Sequence, residues 1–312
     1  MRLITHTLFS ALLLLALATS INAQQPFIHI TNGGNIRGHM TDVNHSSVNG
    51  NPNALLFVTQ HYGQYNNHQV GVWYNSGKWT IYNEDKKAMP NGTKFNIMSV
   101  MPSDNAFQHK AQGGNISANS TIINHPACNN NPNAVLLVTQ NWTGSYNAKP
   151  IGVWYNGTNW AIFNQDRSTM PQGANFNVLV LSQGFSSQLN ANVDVLSATD
   201  AGKKNQWGSY LTTTSMNNPN AVIFTTQNWQ TNGPYNPHVT AVWYGGSNWT
   251  IYNQDKQTLP TNAKFNTVSF GSASSSNAAA NNNAGGDKKK KSEVEKMADE
   301  IGKFIKDAKK KN

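Results

Sequence analysis

Side chains that could hold a ligand recur in three sets along this sequence. Each set has a glutamine after an apolar run, one or two loop aromatics, an aromatic pair in a hairpin and one aspartate. The candidate ligand-binding residues are Gln60, Tyr65, Trp73, Tyr82, Asp85, Gln140, Trp142, Tyr146, Trp154, Phe163, Asp166, Gln227, Trp229, Tyr235, Trp243, Tyr252 and Asp255. Amide and carboxylate groups bond hydroxyls, and an aromatic ring covers the apolar C–H face of a sugar. This chemistry predicts binding of a neutral, polyhydroxylated ligand.

Catalytic chemistry has little support in the sequence. There is no GxSxG nucleophile elbow, no HExxH and no phosphate-binding loop. The aspartate of each set has no nearby partner with which to form an acid/base pair, so its ordinary role is to cap a turn. His45, His61 and His68 cluster only in the first set, and no oxygen-rich calcium loop is present. We therefore predict no catalytic residue, no metal and no cofactor.

The segments that must position these side chains are repeated as well. The first copy reads NPNALLFVTQ, then VGVWYNSGKWTIYNED, then MPNGTKFN, and the NPN segments of the three copies begin at Asn51, Asn131 and Asn218. A unit of this size buries only about 60–65% of its unfolded surface. We therefore expect the copies to pack against one another or to share a sheet.

Each copy is predicted to be all-β. NPN is a turn, and the apolar run after it is a short central strand buried on both faces. The VWYN and W-x-I segments form a hairpin across a four-residue connection, which in the first copy is Asn75–Lys78. This connection places Tyr74 opposite Trp79 and Val72 opposite Ile81.

Strand alternation gives this hairpin two faces. Val72, Tyr74, Trp79 and Ile81 form the core face. Trp73 and Tyr82 lie on the other face beside small residues, which would make a flat aromatic shelf and the candidate binding surface. In the alternative interpretation the shelf is buried against the next strand layer or the next copy.

Both ends of the chain differ from the repeats. Arg2 and the apolar run 8–18 are typical of a signal peptide that ends at Ala23, since the run is too short to span a bilayer. Residues 271–291 are predicted to be a flexible linker that ends in a lysine run. Residues 292–312 have one apolar stripe at helical spacing and form a basic amphipathic helix, suited to self-association, partner docking or contact with an anionic surface.

Charge and cysteine content exclude several classes of protein. The formal net charge of +9 divides into +4 on residues 24–276, +4 on the tail from Asp287 and the charge of Arg2. A charge of +4 over that body is too small for a nucleic-acid footprint, so no nucleic-acid partner is expected. The single cysteine, Cys128, cannot form an intramolecular disulfide, and we expect it to be buried.

The repeated pattern NPNA-x4-TQ, VWY, W-x-I-x-N-x-D and P-x4-FN resembles a tandem-repeat domain of uncharacterised secreted proteins. The resemblance covers about residues 27–270. It implies a repeated architecture and export from the cell, and it supplies no catalytic residues.

The sequence predicts three tandem antiparallel β-sandwich-like modules followed by a C-terminal amphipathic helix. The expected segments are a signal peptide (1–23), three β repeats (24–103, 104–185 and 186–270), a linker (271–291) and the helix (292–312). The expected function is secreted, non-enzymatic adhesion through multivalent, lectin-like recognition of a glycan or cell-surface polysaccharide. The alternative is a structural extracellular matrix or coat protein whose repeats pack together.

Overall fold

The computed structural model describes residues 25–182, 189, 191–199, 203–211, 217–229 and 233–271. This part of the chain is all-β, with 21 strands that divide equally among three repeats. The predicted signal peptide, the linker beyond residue 271 and the amphipathic helix lie outside the described residues. The expected all-β class and the three repeat units are confirmed.

The strands follow the same order in every repeat. The first repeat contains β1 (Phe27–Ile30), β2 (Ile36–Arg37), β3 (Met40–Val43), β4 (Leu55–His61), β5 (Val70–Asn75), β6 (Lys78–Asn83) and β7 (Lys94–Val100). The second contains β8 (Ala106–Lys110), β9 (Ile116–Ser117), β10 (Ser120–Ile122), β11 (Ala134–Asn141), β12 (Ile151–Tyr155), β13 (Trp160–Asn164) and β14 (Asn175–Ser182). The third contains β15 (Ala191–Ser197), β16 (Lys203–Asn205), β17 (Gly208–Tyr210), β18 (Val222–Asn228), β19 (Thr240–Tyr244), β20 (Trp249–Asn253) and β21 (Lys264–Phe270).

Each of the three seven-stranded sheets combines strands from two repeats. The sheet orders are β1-β7-β4-β19-β20-β17-β16, β15-β21-β18-β12-β13-β10-β9 and β2-β3-β6-β5-β11-β14-β8. The repeats meet through short parallel pairs, β4 with β19, β11 with β5 and β18 with β12. Every repeat therefore gives its hairpin to the sheet of a neighbour, and the third repeat closes the ring on the first. The expectation that the repeats share sheets is confirmed.

The hairpin register follows the prediction in every repeat. In the first repeat Tyr74 pairs with Trp79 and Val72 with Ile81. The turn there is tighter than expected, because Asn75 and Lys78 also pair. This leaves a two-residue turn at Ser76 and Gly77 with φ of 51° and 83°, which matches the right-handed twist of a hairpin.

The central strands are buried on both faces because they separate two kinds of core. One side of β4 carries Leu55 and Phe57, which join a cluster that all three repeats build together. The other side carries Leu56, which belongs to a core made by the first repeat alone. The second and third repeats have equivalent cores of their own. Continuous apolar runs follow directly from this arrangement, since neither face of the strand meets water.

Polar side chains connect the repeats cyclically around the shared core. The backbone N–H groups of Val58, Val138 and Thr225 donate to the hydroxyls of Thr139, Thr226 and Thr59, at 2.9–3.0 Å. Three equivalent asparagines also form hydrogen bonds across these boundaries. Their side-chain amides donate to backbone carbonyls, from Asn96 to Ile223, from Asn177 to Leu56 and from Asn266 to Leu136. Each repeat thus donates hydrogen bonds to, and accepts them from, its neighbours.

Two further findings concern Cys128 and membrane-spanning helices. Cys128 is buried in the core of the second repeat, and burial raises the pKa of its thiol to about 12, which keeps it protonated and unreactive. Within the residues that the structure describes, no helix has the length and apolarity needed to cross a membrane.

Candidate functional site

Aromatic side chains gather wherever the hairpin of one repeat meets the loop that follows the central strand of its neighbour. These three places are called sites A, B and C. Site A comprises Trp73, Tyr82, Trp142, Tyr146 and Lys86; site B comprises Trp154, Phe163, Trp229, Tyr235 and Arg167; site C comprises Trp243, Tyr252, Tyr62, Tyr65 and Lys256.

The parallel strand pairs position the rings. Where the central strand ends, the backbone N–H of the first loop aromatic donates to a valine carbonyl on the neighbouring hairpin. These bonds run from Tyr62 to Val242, from Trp142 to Val72 and from Trp229 to Val153, at 2.8–2.9 Å. The tryptophan that follows each valine therefore lies beside the loop ring of the other repeat.

In site A, the Trp73 and Trp142 rings meet edge to face with centroids 5.1 Å apart. Tyr146 contacts Trp142 at 6.2 Å and Tyr82 at 5.8 Å. The two tryptophans and Tyr146 are partly exposed, whereas Tyr82 is buried. Distances of this order are favourable for aromatic pairs. The site thus presents a partly exposed aromatic rim over a buried ring.

Site B has the same plan and opens into a pocket of about 140 Å³. The pocket is lined by Trp154, Phe163, Trp229 and Tyr235, together with Asn119 from the turn between β9 and β10 and Ser120, the first residue of β10. The buried indole N–H of Trp229 has no hydrogen-bond partner, and neither has that of Trp142 in site A. The pocket therefore combines apolar rings with an amide and a hydroxyl.

The residues that match Asn119 differ at the other two sites. Its backbone carbonyl accepts from Asn164, as the carbonyls of His39 and Trp207 accept from Asn83 and Asn253. In site C the Trp207 ring packs 5.5 Å from Tyr252, and in site A His39 contacts Tyr82. The asparagine at 119 thus leaves room over Phe163, where the equivalent positions carry the larger His39 and Trp207.

A basic side chain lies over a tyrosine at every site. Lys86 is 4.3 Å from the Tyr146 centroid, Arg167 is 4.4 Å from that of Tyr235, and Lys256 is 4.8 Å from that of Tyr65. All three cations are exposed. Each belongs to the repeat that supplies the hairpin and reaches a ring of its neighbour, so the cation–π contacts also cross the repeat boundaries.

An acid or amide beneath each site connects the two repeats. Glu84 accepts from the Asn147 backbone N–H and from the Tyr82 hydroxyl, at 2.9 and 2.8 Å. The equivalent Gln165 and Gln254 donate to glutamines of the neighbouring repeats at 3.1 and 3.0 Å. Burial raises the pKa of Glu84 to about 7, although both hydrogen bonds oppose this shift. Burial also raises the pKa of the Tyr82 hydroxyl, so it remains a neutral donor.

The structure places the predicted glutamines inside the junctions between repeats. Gln60, Gln140 and Gln227 are buried, and their side-chain amides donate to loop carbonyls of their own repeats. Gln60 and Gln227 also line a pocket of about 60 Å³ that strands from all three repeats surround. These glutamines therefore hold loops in place beneath the aromatic sites and do not lie among the exposed rings.

The predicted aspartates act as turn caps, their ordinary role. Asp85, Asp166 and Asp255 each accept a hydrogen bond from the backbone N–H two residues ahead, at 2.9–3.0 Å. Their second carboxylate oxygens pair with His68, Lys149 and His238 at 2.6–2.7 Å. Within the described ranges, no group of three or more acidic, histidine or cysteine side chains could hold a metal ion.

The predicted aromatic shelf exists in part. Trp73, Trp154 and Trp243 keep part of their surface exposed, whereas Tyr82, Phe163 and Tyr252 are buried at the boundary with the next repeat. The small neighbours also have a different purpose from a flat surface. A Cβ at Gly71 would lie 2.5 Å from Glu84 Oε1 and from the Tyr82 hydroxyl oxygen, so glycine is needed for close approach.

The sequence prediction missed Tyr62 of site C and three further groups of residues. These groups are the cations at 86, 167 and 256, the connecting residues at 84, 165 and 254, and the pair Asn119 and Ser120. The signal for the first two groups was present as the recurring pattern N-[E/Q]-D-[K/R] after each hairpin. No pattern could have indicated Asn119 and Ser120, because the equivalent residues differ in every repeat.

Comparison with known proteins gives a family and no activity. No curated protein and no solved structure matches the chain. The domain of unknown function DUF7452 matches three times in tandem, over residues 15–99, 82–180 and 185–269. These matches cover most of the chain and confirm the resemblance to an uncharacterised tandem-repeat domain. The chain is thus a member of the DUF7452 family, with three copies of the domain.

Proposed function

We propose that this protein is a non-enzymatic carbohydrate-binding protein that holds its ligand at sites A, B and C. The observation that carries the proposal is the pocket of site B, in which Asn119 and Ser120 adjoin four aromatic rings. Rings suit the C–H face of a sugar, and the amide and hydroxyl suit its hydroxyl groups. Catalysis has no comparable support.

Threefold recurrence fits adhesion to a surface that displays many copies of a glycan. One stacked ring contributes about 0.5–1.5 kcal/mol beyond the burial of its area, so a single site binds weakly. Three sites on one closed body could raise the apparent affinity by roughly 10²–10⁴ where the ligand is multivalent. The signal-peptide pattern at residues 1–23 supports a place outside the cell for this activity.

The test is a glycan and polysaccharide binding screen of the mature chain. A Trp73→Ala, Trp154→Ala, Trp243→Ala triple variant should lose binding, since it removes one partly exposed ring from each site. A Trp154→Ala variant removes this ring from site B alone and leaves sites A and C unchanged. This second variant should lose about one third of the bound glycan at saturation, on the basis of three sites.

Far-ultraviolet circular dichroism and thermal unfolding establish that both variants stay folded. Binding by Trp154→Ala equal to that of the parent would remove site B from the proposal. No binding to any glycan by folded protein would contradict the proposal as a whole. That result would favour the alternative function, a structural extracellular matrix or coat protein whose repeats pack together.

A further inference from the structure

We infer that sites A, B and C bind an acidic polysaccharide, with the exposed cation of each site pairing with a carboxylate or sulfate group on the sugar. This inference rests on the proposed carbohydrate-binding function and specifies its ligand class. The ligand class follows from what the three sites share, which is one basic residue beside partly exposed aromatic rings. A neutral sugar would use the aromatic rings and the Asn119 amide, and it would not need a basic side chain at each site.

The backbone at these basic residues argues that their side chains are needed. Lys86, Arg167 and Lys256 have φ of 62°, 62° and 61°, in the left-handed region that favours glycine and asparagine. A residue with a long side chain is unfavourable in this conformation. All three repeats nevertheless have lysine or arginine there, although this chain is rich in asparagine elsewhere. A turn alone would be better made by glycine.

The nearby acidic groups leave the cations available to a ligand. The aspartate that precedes each cation uses one oxygen to cap the turn and the other to pair with His68, Lys149 or His238 of its own repeat. Glu84, the other acid at site A, is buried beneath the rings. An anionic group that approaches Lys86, Arg167 or Lys256 from solvent therefore meets the exposed cation and no unpaired surface carboxylate of its turn.

Site B shows how one sugar unit would be held. Arg167 lies over Tyr235, and Tyr235 lines the pocket with Trp154 and Trp229. A sugar ring that enters the pocket would stack on one of the two indoles, which lie at 84° to each other, and its acidic substituent would lie toward the guanidinium that covers Tyr235. The planar guanidinium can hold a carboxylate or a sulfate through two parallel hydrogen bonds. The Asn119 amide and the Ser120 hydroxyl already donate to backbone carbonyls, so their oxygens remain to accept from the hydroxyl groups of the sugar.

The experiment compares matched pairs of polymers that differ only in charge. Polygalacturonate is measured against its methyl ester, and dextran sulfate against dextran, with the mature chain immobilised and the ionic strength varied. We expect the protein to bind the charged member of at least one pair and to bind its neutral partner about tenfold more weakly. Added salt should weaken the binding of the charged polymer. The pair that binds identifies the acidic group as carboxylate or sulfate.

Charge variants locate the effect. Lys86→Met, Arg167→Met and Lys256→Met together should reduce the affinity for the charged polymer by at least about tenfold, because three ion pairs are lost at once. Lys78→Met, Lys87→Met and Lys110→Met together remove the same charge from exposed lysines outside the cation–tyrosine pairs and should leave binding nearly unchanged. A Lys86→Arg, Lys256→Arg variant keeps the charge and should bind like the parent.

The outcomes separate this inference from the proposed function. Equal binding to charged and neutral polymers that still requires Trp73, Trp154 and Trp243 would overturn the acidic ligand and leave carbohydrate binding intact. Binding to single-stranded DNA as tight as to the acidic polysaccharide would also overturn it, since the attraction would then be charge alone. Absence of binding to every polymer would remove both the inference and the proposed function.

Discussion

Glu84 is a buried acid at a position where the other two repeats have glutamine. Burial raises the pKa of Glu84 from 4.5 to about 7, so the folded protein holds a proton that the unfolded chain releases. The contribution of Glu84 to stability therefore falls as the pH rises from about 4.5 to about 7 and is constant above that range. The buried His29, His61 and His109, whose pKa values burial lowers to about 4, act in the opposite direction, so the effect of Glu84 is measured as a difference between variants. The equivalent Gln165 and Gln254 carry no charge and add no such dependence.

Glu84→Gln should remove this fall and stabilise the protein by up to about 3 kcal/mol above pH 7. The measurement is the free energy of unfolding in urea between pH 4.5 and 8. Gln165→Glu is the matched control, because it should introduce the same dependence at the next junction. Parallel pH curves for the parent and Glu84→Gln would show that the Glu84 pKa is not raised.

The sequence predicted on which face of a strand an aromatic ring lies, but it did not predict which residues contact that ring. Trp73 could be predicted to leave the core, because strand alternation places its side chain on the other face of the strand from those of Val72 and Tyr74. The contact between Lys86 and Tyr146 could not be predicted, since the two residues belong to different repeats. Side-chain contacts across a repeat boundary depend on which strands pair, and the identity of a single residue does not indicate that pairing.

The strands that line the shared core depend on side chains from a neighbouring repeat. The hydroxyl of Thr139, on β11, accepts a hydrogen bond from the Val58 N–H of β4, at 3.0 Å. Thr139 is buried. Water is therefore unable to replace the threonine easily as an acceptor, and a buried N–H group without a partner is unfavourable.

Thr139→Val should destabilise the protein by about 1–3 kcal/mol, because it keeps the shape of the side chain and leaves the Val58 N–H unsatisfied. The free energy of unfolding, from urea denaturation at constant pH, measures the loss. Thr139→Ser retains the hydroxyl and should restore most of it. A loss for serine and none for valine would show that the methyl group, and not the hydrogen bond, matters at this position.

Hairpins were the elements that sequence predicted best. Alternation and turn length fix the register of β5 with β6, and the observed pairing agrees with the prediction. The partner of β5 on its other side is β11 of the second repeat, through a parallel contact of two residue pairs. Nothing local to β5 selects that strand. Sharing of sheets could be expected from the small size of the repeats, but its cyclic pattern could not.

The three repeats are held together by a core to which each of them contributes. Leu55, Leu137 and Phe224 come from different repeats and belong to one buried cluster. A repeat on its own would expose its share of this cluster and would also lack the strands that its neighbour adds to its sheet. Three separate modules with independent stability are therefore not expected.

Calorimetry of residues 24–276 should show one cooperative transition, with the calorimetric and van't Hoff enthalpies equal. A shortened chain, residues 24–185, lacks β15–β21 and should have no cooperative transition, since the first repeat loses the hairpin that extends its sheet. Circular dichroism reports whether this chain retains β-structure. A sharp transition in the shortened chain would show that two repeats are sufficient for folding.

The pairing of β19 with β4 determines how the chain can misfold during synthesis. The ribosome releases the first repeat long before the third, so the edge of β4 is without its partner until the last hairpin emerges. A hairpin from another chain fits that edge as well as the chain's own, and only its local concentration favours the intramolecular contact. We therefore expect dilute chains to close as single rings, and crowded nascent chains to exchange hairpins and link into open-ended assemblies.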